Sequence, residues 1–224
     1  VEARRAIPRM QRLGTTLIRI MSYAVRRDAD RQVHADQMED ERFRRLRELV
    51  ALFRDAGITP LHENCNNYGG MGWTYTLKLL DAVPGLKLVY DTGNPTHSDD
   101  VAAAPGADGK RPKQSSWDFY RQVRGHIAYV HIKDGKIGSD GKHVHTWAGE
   151  GAGDVRRIVK DLIQRGYDGG FSIEPHLTVA GHDPSSTEAA AKRHANYITY
   201  GRRFTSILTE VKAEIDHERG AMVG

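Results

Sequence analysis

The sequence predicts a parallel α/β fold of the barrel kind, and three observations carry that reading. Short β-branched, apolar stretches alternate with longer stretches of helical periodicity along the chain. Four successive apolar stretches end on a carboxylate or an imidazole, namely Glu63, Asp91, His131 and Glu174. Turn-forming or polar residues follow these ends, as in LHENCNNYGG, YDTGNP, HIKDG and IEPH. In a parallel barrel the C-terminal strand ends share one rim, where active sites of that architecture lie.

The elements follow in order. TTLIRIMSYA (15–24) is β-branched and apolar and reads as a strand. DERFRRLRELVALFRDAG places Phe43, Leu46, Leu49, Val50 and Phe53 at three- and four-residue spacing, one helical face closed by Gly57. ITPLHE (58–63) is the next strand and WTYTLKLLDAV (73–83) the next helix. LKLVYD (86–91) is a strand, and SSWDFYRQVRGH (115–126) a helix with a serine cap. IAYVHIKD (127–134) is a strand, and DVRRIVKDLIQRGY (154–167) a helix with Val155, Ile158, Val159, Leu162 and Ile163 inward and Asp154 at its cap. GFSIEP (170–175) is the last strand, and a long helix begins near Ser185. Two loops are longer than a compact domain needs, 95–114 and 135–153, and both follow strands.

The chain is 224 residues, enough for one sizeable domain with a real core, and it is read as a single domain over 1–224. Hydrophobic residues are 39% and charged residues 28%, ordinary for a soluble globular protein. The net charge of +4 is spread along the chain without a basic, aromatic-interleaved tract, so nothing calls for nucleic acid. No apolar run reaches membrane-span length, and VEARRAIPRM lacks the core of a signal peptide. The single cysteine, Cys65, rules out an internal disulfide and fits a reducing, cytoplasmic setting. Cys65 reads as a buried thiol rather than a nucleophile.

Three carboxylates converging at one rim would repel unless a cation held them. One imidazole with three carboxylates suits a divalent ion. The metal ligands are therefore expected to be Glu63, Asp91, His131 and Glu174, with Mn²⁺ first and Co²⁺, Mg²⁺ or Zn²⁺ as alternatives. Lys133 and Asp134 follow the His131 strand end, where a cation can steady a developing enolate oxygen, and an exposed surface turn is the equal alternative reading of the pair. His143 and His145 sit two apart in the second long loop and are candidates for contact with substrate. WAGEGAG (147–153) looks like a phosphate loop, but no apolar strand precedes it, and a flexible helix entry is the simpler reading.

HEN at 62–64, YDTGNP at 90–95, HIKD at 131–134 and GYDGGFSIEPH at 166–176 together resemble the xylose-isomerase-like superfamily. That superfamily includes sugar phosphate isomerases and epimerases, ketose 3-epimerases, inosose dehydratases and subunits of metal-dependent C-glycoside deglycosidases. The resemblance implies a TIM (β/α)8 barrel with one divalent metal on Glu63, Asp91, His131 and Glu174. It also implies that Glu63 and Glu174 form the acid–base pair on either side of a small carbohydrate substrate. Where the ketose 3-epimerase branch has a histidine after the aspartate, this chain has Asn94. His143 and His145 join the catalytic candidates, and His62, Asn94, Lys133 and His176 are the candidate substrate contacts. Such barrels have eight strands and five are read here, so the first three βα units are expected to be missing from this chain.

The expected activity is isomerisation or epimerisation of a keto sugar or sugar derivative, by removal of a proton next to a carbonyl through an enediolate. The alternative is a lyase of the same fold, a dehydratase or a deglycosidase acting on a 3-keto-glycoside by elimination. A nuclease resembling the apurinic endonucleases of this barrel ranks below both, because its several zinc ions need more histidines at strand ends. The stripe Tyr197, Tyr200, Phe204 and Ile207/Leu208 on the last helix reads as core packing or a subunit contact, in a homo- or hetero-oligomer.

Overall fold

The computed structural model describes residues 2–177 and 187–223. It divides into two compact units, each assembled from several stretches. The first comprises Val1–Tyr90, Ser98–Gln114 and Phe119–Tyr129, and the second Asp91–His97, Ser115–Asp118 and Val130–Gly224.

In the first unit, α1 (Glu2–Leu13) precedes β1 (Leu17–Ile20), α2 (Glu39–Arg54), β2 (Thr59–Glu63), α3 (Trp73–Ala82) and most of β3 (Lys87–Asp91). β1, β2 and β3 are neighbours in that order and pair in parallel, with Ile20 opposite His62 and Glu63 opposite Val89. β1 is shorter than the ten residues expected. Its last paired residue is Ile20, and Tyr23, three residues on, holds a left-handed φ of 65°, which a strand cannot accommodate. α2 forms over the expected stretch and buries Phe43, Leu46, Val50 and Phe53. Gly57 follows it at φ 74°, the left-handed conformation that only glycine adopts without strain. Arg42 is also buried, donating from its guanidinium to the carbonyls of Ser22, Ala24 and Gln37 and lying over the Tyr68 ring. Tyr90 packs against Phe119 and Tyr120, which come from α4 (Ser116–Val123). Ser115 caps that helix, its hydroxyl accepting the Asp118 N–H at 3.1 Å.

The second unit holds the end of β4 (Ile127–Ile132), the hairpin β5 (Gly135–Ile137) and β6 (His143–His145), α5 (Val155–Gln164), β7 (Gly170–Ile173) and α6 (Thr187–Val223). β7 lies beside β4, and the Glu174 N–H donates to the Ile132 carbonyl at 2.9 Å. The expected start of the last helix near Ser185 lies outside the described residues. α5 buries Val155, Ile158, Val159 and Leu162. Asp154 occupies its N-cap with φ 51° but makes no side-chain cap hydrogen bond, so the expected cap is not formed. Phe171 meets Phe204 at 5.6 Å between ring centroids, and Trp147 meets Tyr200 at 6.1 Å. Of the expected apolar stripe, Tyr200 and Phe204 are buried, whereas Tyr197 is 54% exposed. Residues 135–153, expected to be an open glycine-rich loop, contain the β5–β6 hairpin, with Gly135 opposite His145. No described helix is long and apolar enough to cross a membrane.

Candidate active site

β3 and β4 deliver Asp91, His131 and Lys133 to the second unit, and the chain after β7 adds Glu174. Asp91 is fully buried. The TGNP turn folds back so that Asp91 Oδ1 accepts the Gly93 N–H at 2.8 Å and the Asn94 N–H at 2.7 Å. That fixes the carboxylate and directs Oδ2 to the Lys133 ammonium, 2.9 Å away. A side chain at position 93 would bring its Cβ 2.7 Å from Lys133 Cγ, so glycine is required. The Lys133 Nζ also lies 3.1 Å from Glu174 Oε2 and donates to Asn94 Oδ1 at 3.1 Å. His131 Nδ1 sits 2.9 Å from Glu174 Oε1. The Thr92 hydroxyl ties the two strand exits together, donating to the Lys133 carbonyl at 2.6 Å while accepting the Lys133 N–H at 3.2 Å.

Electrostatics follow from this packing. Burial works against the Lys133 charge, but the adjacent Asp91 and Glu174 outweigh it and hold the ammonium above its usual pKa. The hydrogen bond from His131, ahead of the opposing burial and the Lys133 charge, keeps the Glu174 carboxyl well below the usual carboxylate range. Asp91, His131 and Glu174 each offer one ligand atom, and these atoms lie within 4.8 Å of one another. Hard carboxylate oxygens with one imidazole make a donor set that fits a divalent ion.

Glu63 ends β2 in the first unit and is buried there. Its Oε2 lies 2.7 Å from a guanidinium nitrogen of the half-exposed Arg19. His62 is enclosed within the same unit, its Nε2 lying 2.9 Å from the Ser22 hydroxyl and 2.8 Å from Asn67 Oδ1. Burial pushes its pKa down to about 4, so the ring is neutral. The turn NCNNYGG has a local explanation. Asn67 bridges Ser22, His62 and the Gly70 N–H. A Cβ on Gly69 would lie 2.4 Å from the His62 ring, and one on Gly70 would lie 1.6 Å from the Cys65 carbonyl oxygen. Burial pushes the Cys65 thiol up to about 12, which makes it inert at neutral pH.

The hairpin carries His143 and His145 into a group of four imidazoles in the second unit. Ring centroids are 4.8 Å apart for His97 and His143, 4.7 Å for His143 and His145, and 5.2 Å for His145 and His176. The Thr96 hydroxyl lies 3.0 Å from His143 Nε2, and His176 Nε2 lies 3.7 Å from Glu174 Oε2. Burial, with His143, His176 and Lys133 nearby, lowers the His145 pKa to about 4. Sequence reasoning missed His97, because the PTH triplet carries no spacing signal and its ring meets His143 only through the fold. The glycine-rich WAGEGAG segment does not present its amides outward as a phosphate loop does. The N–H groups of Gly149, Gly151 and Gly153 point to the carboxylate of Asp134, a residue that reads from sequence as part of an exposed turn and is instead 1% exposed.

A family model described as xylose isomerase-like TIM barrel matches residues 2–198. No curated protein matches the sequence. Among solved structures, a xylose isomerase domain protein from Planctomyces limnophilus superposes with a TM-score of 0.67 at 14% identity, over 95% of this chain and 65% of that one. A xylose isomerase-like TIM barrel protein from Mycobacterium smegmatis, in complex with magnesium, gives 0.63 at 20% identity, over 92% and 66%. A D-tagatose 3-epimerase-like protein gives 0.64 at 18% identity, over 94% and 68%. This chain thus spans about two thirds of the length of these proteins. At such identities the likeness is one of fold.

Proposed function

We propose that this chain, which belongs to the xylose isomerase-like TIM barrel family, is a divalent-metal-dependent isomerase or epimerase of a keto sugar or sugar derivative. The observation that carries the reading is the convergence of Asp91, His131 and Glu174 beside a buried ammonium. Those three residues would hold the ion, with Glu63 as the proposed fourth ligand. The magnesium in the Mycobacterium smegmatis relative supports a divalent ion, and Mn²⁺ is the ion proposed here. When bound, such an ion supplies Lewis acidity to a carbonyl and its neighbouring hydroxyl, which acidifies the C–H between them.

The chain's own groups do the rest. Glu174 is held ionised by His131 and Lys133, and in this reading it takes the proton from the substrate carbon. Glu63 is the second acid–base group and returns a proton. Lys133 keeps its charge and steadies negative charge developing on a substrate oxygen. Asn94 holds the Lys133 ammonium in place. The ring nitrogens of His143, His145 and His176 provide donors and acceptors for hydroxyl groups.

The test runs keto sugars, inosose-like ketones and 3-keto-glycosides in D₂O with Mn²⁺ and follows them by NMR. Deuterium entering next to the carbonyl with the carbon skeleton retained, and lost on chelation, is the expected result. Loss of water or of an aglycone would replace the isomerase reading with a lyase. No exchange into any of these substrates by the metal-loaded protein would refute the proton-transfer reading.

A further inference from the structure

We propose that Asp134 is a positioning residue whose buried carboxylate holds the hairpin and glycine loop that set the four-histidine group in place. Asp134 Oδ1 accepts the N–H groups of Gly135 and Gly153, both at 2.8 Å. Its Oδ2 accepts those of Gly149 at 2.9 Å and Gly151 at 3.0 Å. Four amides on one carboxylate form the kind of nest that in a phosphate loop would cradle an anion, and here the chain supplies the anion itself.

The residue's backbone extends the same tie. The Asp134 carbonyl accepts the Thr146 N–H at 3.1 Å, and the Gly135 carbonyl accepts the Ala152 N–H at 2.8 Å. The entry to β5, the exit from β6 and the loop 149–153 therefore all close on residues 134 and 135. His143 and His145 lie two apart on β6 and share a face, so the placement of this hairpin sets where both rings stand relative to His97 and His176.

The chemistry demands an aspartate. An asparagine would turn an NH₂ group against two of the four amides, and a glutamate is one methylene too long for the space. That space is tight, since a Cβ on Gly151 would fall 2.2 Å from Asp134 Oδ1 and one on Gly153 2.7 Å from it.

The experiment uses the full chain carrying Asp134→Asn, with Gly151→Ala as a second variant that displaces the carboxylate without changing it. Amide hydrogen exchange is expected to quicken by about tenfold or more in residues 135 and 143–153, with β1, β2 and β3 unchanged. Mn²⁺ affinity, read by titration, should stay within about threefold of the parent, because the proposed ligands lie outside the tie. One arm rests on the isomerase reading: KM for the keto sugar should rise about tenfold with a smaller change in kcat, the mark of lost substrate positioning. Parental exchange rates through 143–153 in either folded variant would overturn the proposal. So would exchange quickened evenly over the whole chain, which would make Asp134 a residue of the fold alone. If Asp134→Asn does not fold, Gly151→Ala decides by the same readouts. If the parent turns over no keto sugar, the isomerase reading fails while the exchange result still decides the role of Asp134.

Discussion

Replacing Lys133 with methionine keeps the stem and removes the ammonium that lies 2.9 Å from Asp91 Oδ2 and 3.1 Å from Glu174 Oε2. Asp91 is wholly buried and the Lys133 side chain is 8% exposed, so this is a low-dielectric pair rather than a surface bridge. Breaking such a pair by removing one partner costs about 3–5 kcal/mol. The Glu174 side chain is 25% exposed, and solvent screening lowers its share, so the lower end of that range applies. Metal-free Lys133→Met should therefore be about 3 kcal/mol less stable than the parent in urea unfolding with chelator present. A divalent ion seated on the same carboxylates should restore part of the loss, about 2.7 kcal/mol at a hundredfold excess over its Kd. If the variant unfolds within about 1 kcal/mol of the parent in chelator, the ammonium is not what neutralises the buried carboxylates. If Mn²⁺ leaves its stability unchanged, the metal site is misplaced.

Glu174→Gln and Glu63→Gln keep side-chain size and one oxygen donor, so each should lower the exchange or turnover rate by about 10²–10⁴-fold, measured by NMR in D₂O. Rates within a factor of about three of the parent would remove that residue from the acid–base pair. Metal analysis after purification without chelator should give about one ion per chain, and Asp91→Ala or His131→Ala should lose it. Undiminished binding by either variant would show that the ligands lie elsewhere. His62 is buried with a pKa depressed from 6.5 to about 4, so the folded state takes up its proton only at lower pH than the unfolded chain does. Stability from this group is complete above pH 6.5 and is lost as pH falls towards 4, by about 3 kcal/mol in all. Ring NMR should place the His62 midpoint near 4, and a midpoint near 6.5 would refute the buried, neutral assignment.

Much of the architecture was legible because it is written in local patterns. The faces of α2 and α5 follow from 3.6-residue spacing, and the ends of β2, β3 and β4 from turn chemistry after apolar runs. The same logic made Glu63, Asp91, His131 and Glu174 the candidate ligands, because each closes an apolar run read as a parallel strand. The family match over residues 2–198 bears out the barrel class that this alternation implied.

What the tertiary structure alone decided involves partners far apart in the chain. Lys133 stands between Asp91 and Glu174, which are 42 and 41 residues away, and no periodicity encodes such an encounter. β1 ends at Ile20, short of the expected stretch, and Tyr23 beyond it takes a left-handed backbone angle that its β-rich neighbourhood did not announce. His97 joins His143 because the turn after β3 and the hairpin after β4 are brought together by packing. Asp134 read as part of an exposed turn and Gly149–Gly153 as a loose loop, since each lacks a local partner. Folded, the carboxylate takes the amides and is itself buried, since a charged acceptor removed from water must find donors wherever they lie in the sequence.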